Sequence, residues 1–462
     1  MALNEGQQAA FNAFKRFQQN PDSTVFALFG AAGTGKSFLS GQMAQEMTKG
    51  VELPAAVGGF FGPQTGARLP SPVMWTAPTW KAARISSGFL SNNGIDHEVG
   101  WDKYFHSPYM SVVTTTAQAL GIGPIVSEDQ DENERAFGAR TEGAYTAMGP
   151  EYLVIDEVSM LGWGNLKRLA NMVRGREAKL VLIGDPNQIP PVKDQEIKWD
   201  KIENQYELTQ IMRQSGDSVI PLVGRAIIEE ADWRSMRGQG FNMMRDQAAL
   251  AQEFLQTVMV PTRDESGRTV YVAYRNMMVD AMQEKACQQV YGHGRDMFER
   301  GQIVIAQKPL RGKGKQAIAN QDVLEIREFG ERGRWGKLVS VEDSNGRVHN
   351  AEYLSGDELA DKSHPYNVEL ETRRQRAVEL QQQYKGGNRT VNEARKEAWQ
   401  MFFELKDNTV LNFAHPFAIT SHKSQGSTYQ RAFVHGGDLE RFGGKRALYV
   451  AMTRASDETF AC

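Results

Sequence analysis

The stretch Gly30-Ala31-Ala32-Gly33-Thr34-Gly35-Lys36-Ser37 constrains the fold more than any other part of the chain, because it fits G-x-x-x-x-G-K-[ST]. Before it lies Thr24-Val25-Phe26-Ala27-Leu28-Phe29, an apolar run bounded by Pro21-Asp22 and Gly30, which reads as a buried strand. After it a helix is predicted from about Lys36 to Met47. Strand, glycine turn and helix make one unit. Gly30, Gly33, Thr34 and Gly35 let backbone N–H groups wrap a phosphate chain, and the helix N-terminus favours the anion. Lys36 would neutralise the β- and γ-phosphates, and Ser37 would ligate Mg²⁺. Alone, the motif says only that a nucleoside triphosphate binds.

The rest of the chain repeats short apolar strands between helices. Residues 4–18 read as a helix capped by Asn4, with Gln7 three residues on, as in a capping box. Val73–Ala77, Val112–Val113, Tyr152–Ile155 and Leu180–Ile183 read as strands. A second unit begins near residue 216, with strands at Val270–Tyr274, Phe417–Thr420 and Ala432–His435. This alternation predicts parallel sheets covered on both faces. Residues 49–72, rich in Gly and Pro, read as a loop insertion, and 121–149 as a small acidic excursion. Ile303–Ile305, Asp322–Ile326 and Leu338–Val341 predict a small β-barrel. Residues 367–407 predict a helical hairpin broken at Lys385-Gly386-Gly387-Asn388.

Tyr152-Leu153-Val154-Ile155 runs into Asp156-Glu157. Asp156 would hold Mg²⁺ from the second side, and Glu157 would orient and deprotonate an attacking water. By itself an acidic pair at a strand end is as easily a solvent-facing feature. Downstream of a phosphate turn the catalytic reading is the better one.

Composition narrows the partners. Lys and Arg total 53 against 56 Asp and Glu, so a polycation is excluded and any nucleic-acid site must be a local groove. Two cysteines, Cys287 and Cys462, make no disulfide scaffold and fit a reducing compartment. No apolar run approaches the ~18 residues of a membrane span, and the N-terminus has no signal-peptide pattern. A cytoplasmic protein is expected.

Further segments follow in a fixed order: Thr76-Ala77-Pro78-Thr79, Val158-Ser159-Met160 after the acidic pair, Gly184-Asp185-Pro186-Asn187-Gln188, Leu208-Thr209-Gln210-Ile211-Met212-Arg213-Gln214, Thr420-Ser421-His422-Lys423-Ser424-Gln425-Gly426 and Tyr449-Val450-Ala451-Met452-Thr453-Arg454. Together these resemble the superfamily 1 helicases of the B branch (the RecD-like group), and most of all the Dda helicases of tailed phages. The resemblance runs from Glu5 to about Arg454.

It implies an α/β fold of two RecA-like P-loop NTPase lobes with parallel sheets. The first lobe would comprise 1–120 and 150–215, with a pin-like insertion at 121–149. The second would comprise 216–305 and 408–462, with an SH3-like barrel and helical hairpin at 306–407. It also implies roles. Gln7 would read adenine, or else serve only the capping box. Gln188 would sense the γ-phosphate, or else be a turn residue before Pro190-Pro191. Arg213 and Arg454 would reach the γ-phosphate across the interlobe cleft, each being otherwise a surface ion-pair partner. Gln425 and Gly426 would touch the nucleotide from the second lobe.

On the nucleic-acid side the resemblance places Thr79, Thr116, Thr420 and His422 on the strand, where hydroxyls grip phosphates without reading sequence. Lys81 and Lys423 would add charge. Trp80 would stack on a base or else be a half-buried helix-start residue. Phe137 and Tyr145 are the pin's only aromatics and would meet the last base pair. The activity implied is a DNA-stimulated ATPase and helicase, using ATP and Mg²⁺ and moving 5′→3′ on single-stranded DNA in replication or recombination. It would work at fork duplexes as a monomer, with a single-strand-binding or replication protein as partner and no membrane. Two alternatives stay open at this point: an RNA-directed superfamily 1 translocase, and a non-enzymatic single-strand-binding remodelling subunit.

Overall fold

The computed structural model describes residues 3–49, 51–52, 68–69, 73–99, 111–119, 122–125, 136–139, 151–174, 178–191, 194–210, 218–264, 267–312, 315–384 and 389–462. Seven strands form the first sheet: β1 (Val25–Gly30), β2 (Val73–Ala77), β3 (His97–Val99), β4 (Ser111–Thr115), β5 (Tyr152–Ile155), β6 (Lys179–Gly184) and β7 (Asn204–Leu208). Their order is β7-β1-β6-β5-β2-β4-β3, and every pair is parallel.

The apolar runs are continuous because both faces are covered. Phe26, Leu28, Trp75, Val154 and Ile183 face one layer with Phe14 and Phe17 of α1 (Glu5–Gln19) and Leu39 of α2 (Lys36–Met47). Ala27, Met74, Leu153, Ile155 and Leu182 face the other, against Leu166 and Leu169 of α4 (Trp163–Arg174). The helix α3 (Trp80–Asn92) follows β2. The capping box of α1 forms: Asn4 Oδ1 accepts the Gln7 N–H at 2.7 Å, and Gln7 Oε1 accepts the Asn4 N–H at 3.2 Å. Phe14 and Phe17 are buried by this helix against Phe26, each contributing about 1.5–3 kcal/mol.

The second sheet has five parallel strands: β8 (Phe241–Met243), β9 (Thr269–Ala273), β10 (Ala418–Thr420), β11 (Tyr429–Val434) and β12 (Ala455–Ala461). The order is β8-β12-β11-β9-β10. Helices α5 (Ile220–Ile228) and α6 (Gly444–Met452) pack on one face. The two parallel sheets confirm the α/β fold with RecA-like lobes.

A third, six-stranded sheet is built from Ile303–Ala306, Val323–Arg332, Lys337–Glu342, Val348–Tyr353, Val410–Leu411 and Phe413–Ala414. It is antiparallel except where Val348–Tyr353 meets Val410–Leu411. Its two outermost strands, Val410–Leu411 and Phe413–Ala414, are separated in the chain by Asn412 alone, so the two edges meet and the sheet curls on itself. The sheet therefore takes in residues on both flanks of the 306–407 span. Helices Pro365–Gln383 and Arg389–Asn408 pack together between its strands, and their connection at 385–388 lies outside the described residues.

Of the acidic excursion, Ile122–Ile125 and Ala136–Ala139 form an antiparallel ladder. Of the insertion 49–72, Val51–Glu52 pairs with Arg68–Leu69, and 53–67 and 70–72 lie outside the described residues. Among the described residues no helix is long and apolar enough to cross a membrane.

Candidate nucleotide and nucleic-acid site

The strands of an open parallel sheet present their carboxyl ends to ligands, and here the motif residues of both sheets do so. Gly30 ends β1. A Cβ there would run into the Leu208 carbonyl oxygen, so only glycine lets β7 and the loop approach this closely. Gly33 and Gly35 have φ of 84° and 81°, the left-handed region that glycine enters without strain. Gly35 then caps α2. Thr34 is buried, and its hydroxyl donates to the Ala31 carbonyl at 3.0 Å, which ties the turn. Lys36 Nζ donates to the Gly30 and Ala31 carbonyls at 2.7 and 2.9 Å, so the ammonium folds over the loop it serves.

Asp156 and Glu157 follow β5. The Asp156 N–H still donates to the Thr76 carbonyl at 2.8 Å, extending the ladder by one residue. Its carboxylate accepts from Ser86 Oγ of α3 at 3.1 Å and from the Glu157 N–H at 2.9 Å. Loss of water in the cleft, then the neighbouring Glu157 charge, push the Asp156 carboxyl up to about 6; the Glu157 N–H, Ser86 and Lys36 pull the other way. Glu157 has φ 51°, a left-handed conformation that costs a non-glycine residue about 1–2 kcal/mol. Its Oε2 is buried without a hydrogen-bond partner. A strained, unsatisfied carboxylate at a strand end is a mark of a functional group, since a structural one would be relaxed and paired.

A cleft of about 500 Å³ collects these groups. Gln7, Gly33, Gly35, Lys36, Ser37, Asp156, Glu157 and Gln188 reach it from the first lobe, and Gly426 and Arg454 from the second. Gln188 is buried and accepts from Ser159 Oγ at 3.4 Å. Gln7 serves both readings at once, since its Oε1 closes the capping box while the residue lines the cleft. Arg454 is 4% exposed, with Nε donating to the Val450 carbonyl at 3.0 Å and Nη1 to that of Ser427 at 3.4 Å. It is a buried cleft residue, not a surface ion-pair partner. Gly426 has φ 75°. Gln425 lies beside the cleft, its Nε2 buried without a partner. Arg213 falls outside the described residues.

The donor set fits Mg²⁺. The Ser37 hydroxyl and the Asp156 carboxylate are hard oxygen ligands, and Asp156 is a carboxylate for which a cation would compensate lost water. Among the described residues no cluster of three or more His, Cys, Asp or Glu could hold a metal by itself. Mg²⁺ at a phosphate site takes one or two protein ligands and the rest from phosphates and water.

The strand-gripping residues are less uniform. Thr79 is exposed beyond β2, where its Oγ1 caps α3 by accepting the Ala82 N–H at 3.2 Å. Trp80 is half-buried and packs on the first-lobe core, so the helix-start role is present in this structure. Thr116 is 3% exposed, with its hydroxyl donating to Thr76 Oγ1 at 3.3 Å; it lies inside the lobe rather than on an open groove. Thr420 ends β10 and caps the turn by accepting the Lys423 N–H at 3.4 Å. His422 is exposed, its ring 5.5 Å from that of Tyr274. Lys423 Nζ reaches Gln307, the residue after the strand Ile303–Ala306 of the six-stranded sheet, at 2.6 Å. Arg84 of α3 pairs with Asp322 of the same sheet region, where the Lys81 charge also acts. The third sheet thus touches both lobes beside the candidate strand residues. The Phe137 backbone pairs with Pro124 in the 122–139 ladder, and Tyr145 lies outside the described residues.

Two residues of the cleft region were quoted in motifs but given no role. Asp185, fully buried after β6, and Tyr449 of α6 are joined by a hydrogen bond. The signal that could have found Asp185 is its place at an apolar strand end, as for Asp156. The contact itself spans 264 residues of sequence and has no local pattern.

Residues 2–232 match the family model described as an AAA domain, and residues 415–461 match that of the UvrD-like helicase C-terminal domain. An uncharacterized protein, R530, of Acanthamoeba polyphaga mimivirus is 23% identical over 219 residues, which is 46% of this chain and 39% of that one. The chain therefore spans well under half the length of this curated relative. The crystal structure of Bacteroides Pif1 bound to ssDNA shares the fold, with a TM-score of 0.50 at 17% identity over 100% of this chain and 92% of that one.

Proposed function

Since the chain belongs to the AAA-domain family, which its residues 2–232 match, we propose that it is an ATP-driven motor that travels 5′→3′ on single-stranded DNA and opens the duplex ahead of it. The AAA and UvrD-like helicase matches, with the shared fold, support a nucleotide-hydrolysing superfamily 1 helicase. The DNA substrate, the direction, the stimulation by strand and a Dda-like setting in phage replication or recombination are the proposed part. So are action as a monomer in the cytoplasm and a single-strand-binding or replication protein as partner.

One observation carries the reading: a single cleft takes Lys36, Ser37, Asp156 and Glu157 from one parallel sheet and Gly426 and Arg454 from the other. A triphosphate there would be held by both lobes. Mg²⁺, held by Ser37 and Asp156, would neutralise charge on the phosphates. Lys36 would leave the Gly30 and Ala31 carbonyls for the phosphate oxygens. Glu157, whose Oε2 lacks a partner, would accept the proton of the attacking water. Arg454 would stabilise charge on the terminal phosphate, an interaction present before cleavage and gone after it. That differential contact is what shifts the lobes between closed and open arrangements. The grips at Thr79 on the first lobe and at Thr420, His422 and Lys423 on the second would then alternate along the strand. The Bacteroides protein was solved with ssDNA, and the same fold here supports a strand as the track.

Phosphate release should rise on adding oligo-dT, and partial duplexes with a 5′ tail should open while those with a 3′ tail stay closed. No stimulation by any strand would return the non-enzymatic reading, and stimulation by RNA alone would return the RNA-directed one. Replacing 121–149 by a short linker should spare strand-stimulated turnover and abolish unwinding; unwinding that survives removes the pin role.

A further inference from the structure

The two lobes also meet at a contact that takes no part in the chemistry described above. The Tyr449 hydroxyl accepts the N–H of Ala32 in the phosphate loop at 2.9 Å and donates to Asp185 Oδ2 at 2.7 Å. Ala32 and Asp185 belong to the first lobe, and Tyr449 to helix α6 of the second. The phenol and the carboxylate are dry, Tyr449 being 2% exposed and Asp185 fully buried, while Ala32 is half-buried and lines the cleft. The other Asp185 oxygen accepts the Asn187 N–H at 2.9 Å, and the Lys36 charge acts on the same carboxylate.

The ring's position is also set. It lies against Gly224 of α5, where an added Cβ would stand 3.2 Å from Tyr449 Cε2 and 3.0 Å from Thr453 Cγ2. A bare helix surface at Gly224 is what allows the ring to reach the loop. Arg454 leaves the end of the same helix, and its Nε is fixed to the carbonyl of Val450, the residue after Tyr449. The hydroxyl on the loop and the guanidinium in the cleft are therefore two ends of one rigid piece.

We infer that Tyr449 is a positioning residue: its hydroxyl registers the second lobe on the phosphate loop, so that Arg454 stands at the right depth in the cleft. The inference rests on the ATPase reading above and names a part of its machinery. A phenol suits the task because it accepts from an amide and donates to a carboxylate at the same time. Phenylalanine fills the same space and does neither, leaving the loop N–H without its partner and a buried carboxylate with one partner fewer.

The test compares wild type with Tyr449→Phe, Asp185→Asn, the double variant and Gly224→Ala. The readouts are kcat and KM for strand-stimulated phosphate release, and binding of a fluorescent ATP analogue. Tyr449→Phe should lower kcat about tenfold or more, the scale of a lost hydrogen bond to a charged group, while analogue binding changes much less. The double variant should be no slower than the slower single one, because both changes cut the same connection. Gly224→Ala keeps the hydroxyl but displaces the ring, and should show a smaller loss of kcat in the same direction. A merely structural bond would lower the melting temperature and leave kcat alone, so an unchanged kcat in Tyr449→Phe overturns the inference. Equal losses in binding and kcat overturn it as well. If Tyr449→Phe does not fold, Gly224→Ala decides, and its unchanged kcat is then the overturning result. In a wild type that hydrolyses ATP, such failures remove this role alone; a wild type that does not hydrolyse ATP removes the earlier reading with it.

Discussion

The molecule has two internal seams made of opposite materials. The seam between the two parallel sheets is polar and incomplete. Glu157 Oε2, Gln425 Nε2 and Ser427 Oγ are buried there without hydrogen-bond partners, and the Asp156 carboxyl is pushed up to about 6. The seam between the second sheet and the six-stranded sheet is aromatic and closed. His415 stacks on Phe298 with centroids 4.6 Å apart, Tyr291 stacks on His293 at 5.4 Å, and Phe417 packs beside them. Arg263 ties the same junction to Glu325 at 2.6 Å and Glu342 at 2.8 Å. A buried polar group without a partner costs about 1–3 kcal/mol; at the first seam Glu157 and Ser427 line an open cleft where a ligand can complete them, whereas Tyr291 Oη and His415 Nδ1, also without partners, lie inside the aromatic packing of the second. On the proposed function the first seam would change with nucleotide, while the second holds the six-stranded sheet against its lobe through aromatic packing.

The comparison breaks most sharply at Lys36. Lys36→Ala should take phosphate release to background, a loss of about 10³-fold or more, while a fluorescent oligo-dT still binds within a few-fold of wild type. An active Lys36→Ala enzyme would mean that the reaction occurs elsewhere. Glu157→Gln should bind ATP and cleave it about 10²–10⁴-fold more slowly, as expected when a general base is removed. Wild-type turnover in that variant would assign the proton to another group. Arg454→Lys keeps the charge but not the fork, and single-turnover cleavage should slow about 10²-fold with ATP affinity little changed. All three changes act at the first seam, and none should alter the packing of the barrel on its lobe.

Reading the chain recovered those parts whose physics is local. Val73–Ala77 and Lys36–Met47 have the bounds expected, because a strand covered on both faces is an unbroken apolar run and a glycine turn fixes where a helix starts. Asn204–Leu208 escaped because it is an edge strand, half of whose side chains face water. Ala455–Ala461 escaped although it is flanked by strands on both sides, since Ser456, Asp457 and Glu458 lend it the look of a loop. The cleft was found through its motifs, but Thr116 was expected on the strand-binding face and is buried beneath it. Tyr449 and Asp185 had no reading at all, because a contact made by closing one lobe on another leaves no trace in spacing.

The second seam offers the smallest test, and it is one of pH. His415 is 2% exposed, its Nε2 lies 3.0 Å from the Met297 carbonyl, and its Nδ1 is buried without a partner. Burial, and to a lesser degree the His293 charge, hold the ring down to about 4, against the pull of the Met297 carbonyl. Around it stand Tyr291, His293, Phe298 and Phe417, and the Gln283 amide donates to the His415 carbonyl. In the unfolded chain the ring takes its proton near 6.5. The folded protein thus prefers the neutral ring, and this contribution is whole above pH 6.5 and is lost as pH falls toward 4. Between pH 7 and pH 5 it should cost on the order of 1–2 kcal/mol of stability. Urea unfolding of wild type and His415→Phe at both pH values measures it. The variant keeps a ring in the stack, gives up the Met297 bond and is less stable at pH 7, yet its drop between the two pH values should be smaller by that amount. Equal drops in the two proteins would mean that water already reaches the ring, and the contrast between an open seam and a closed one would no longer hold.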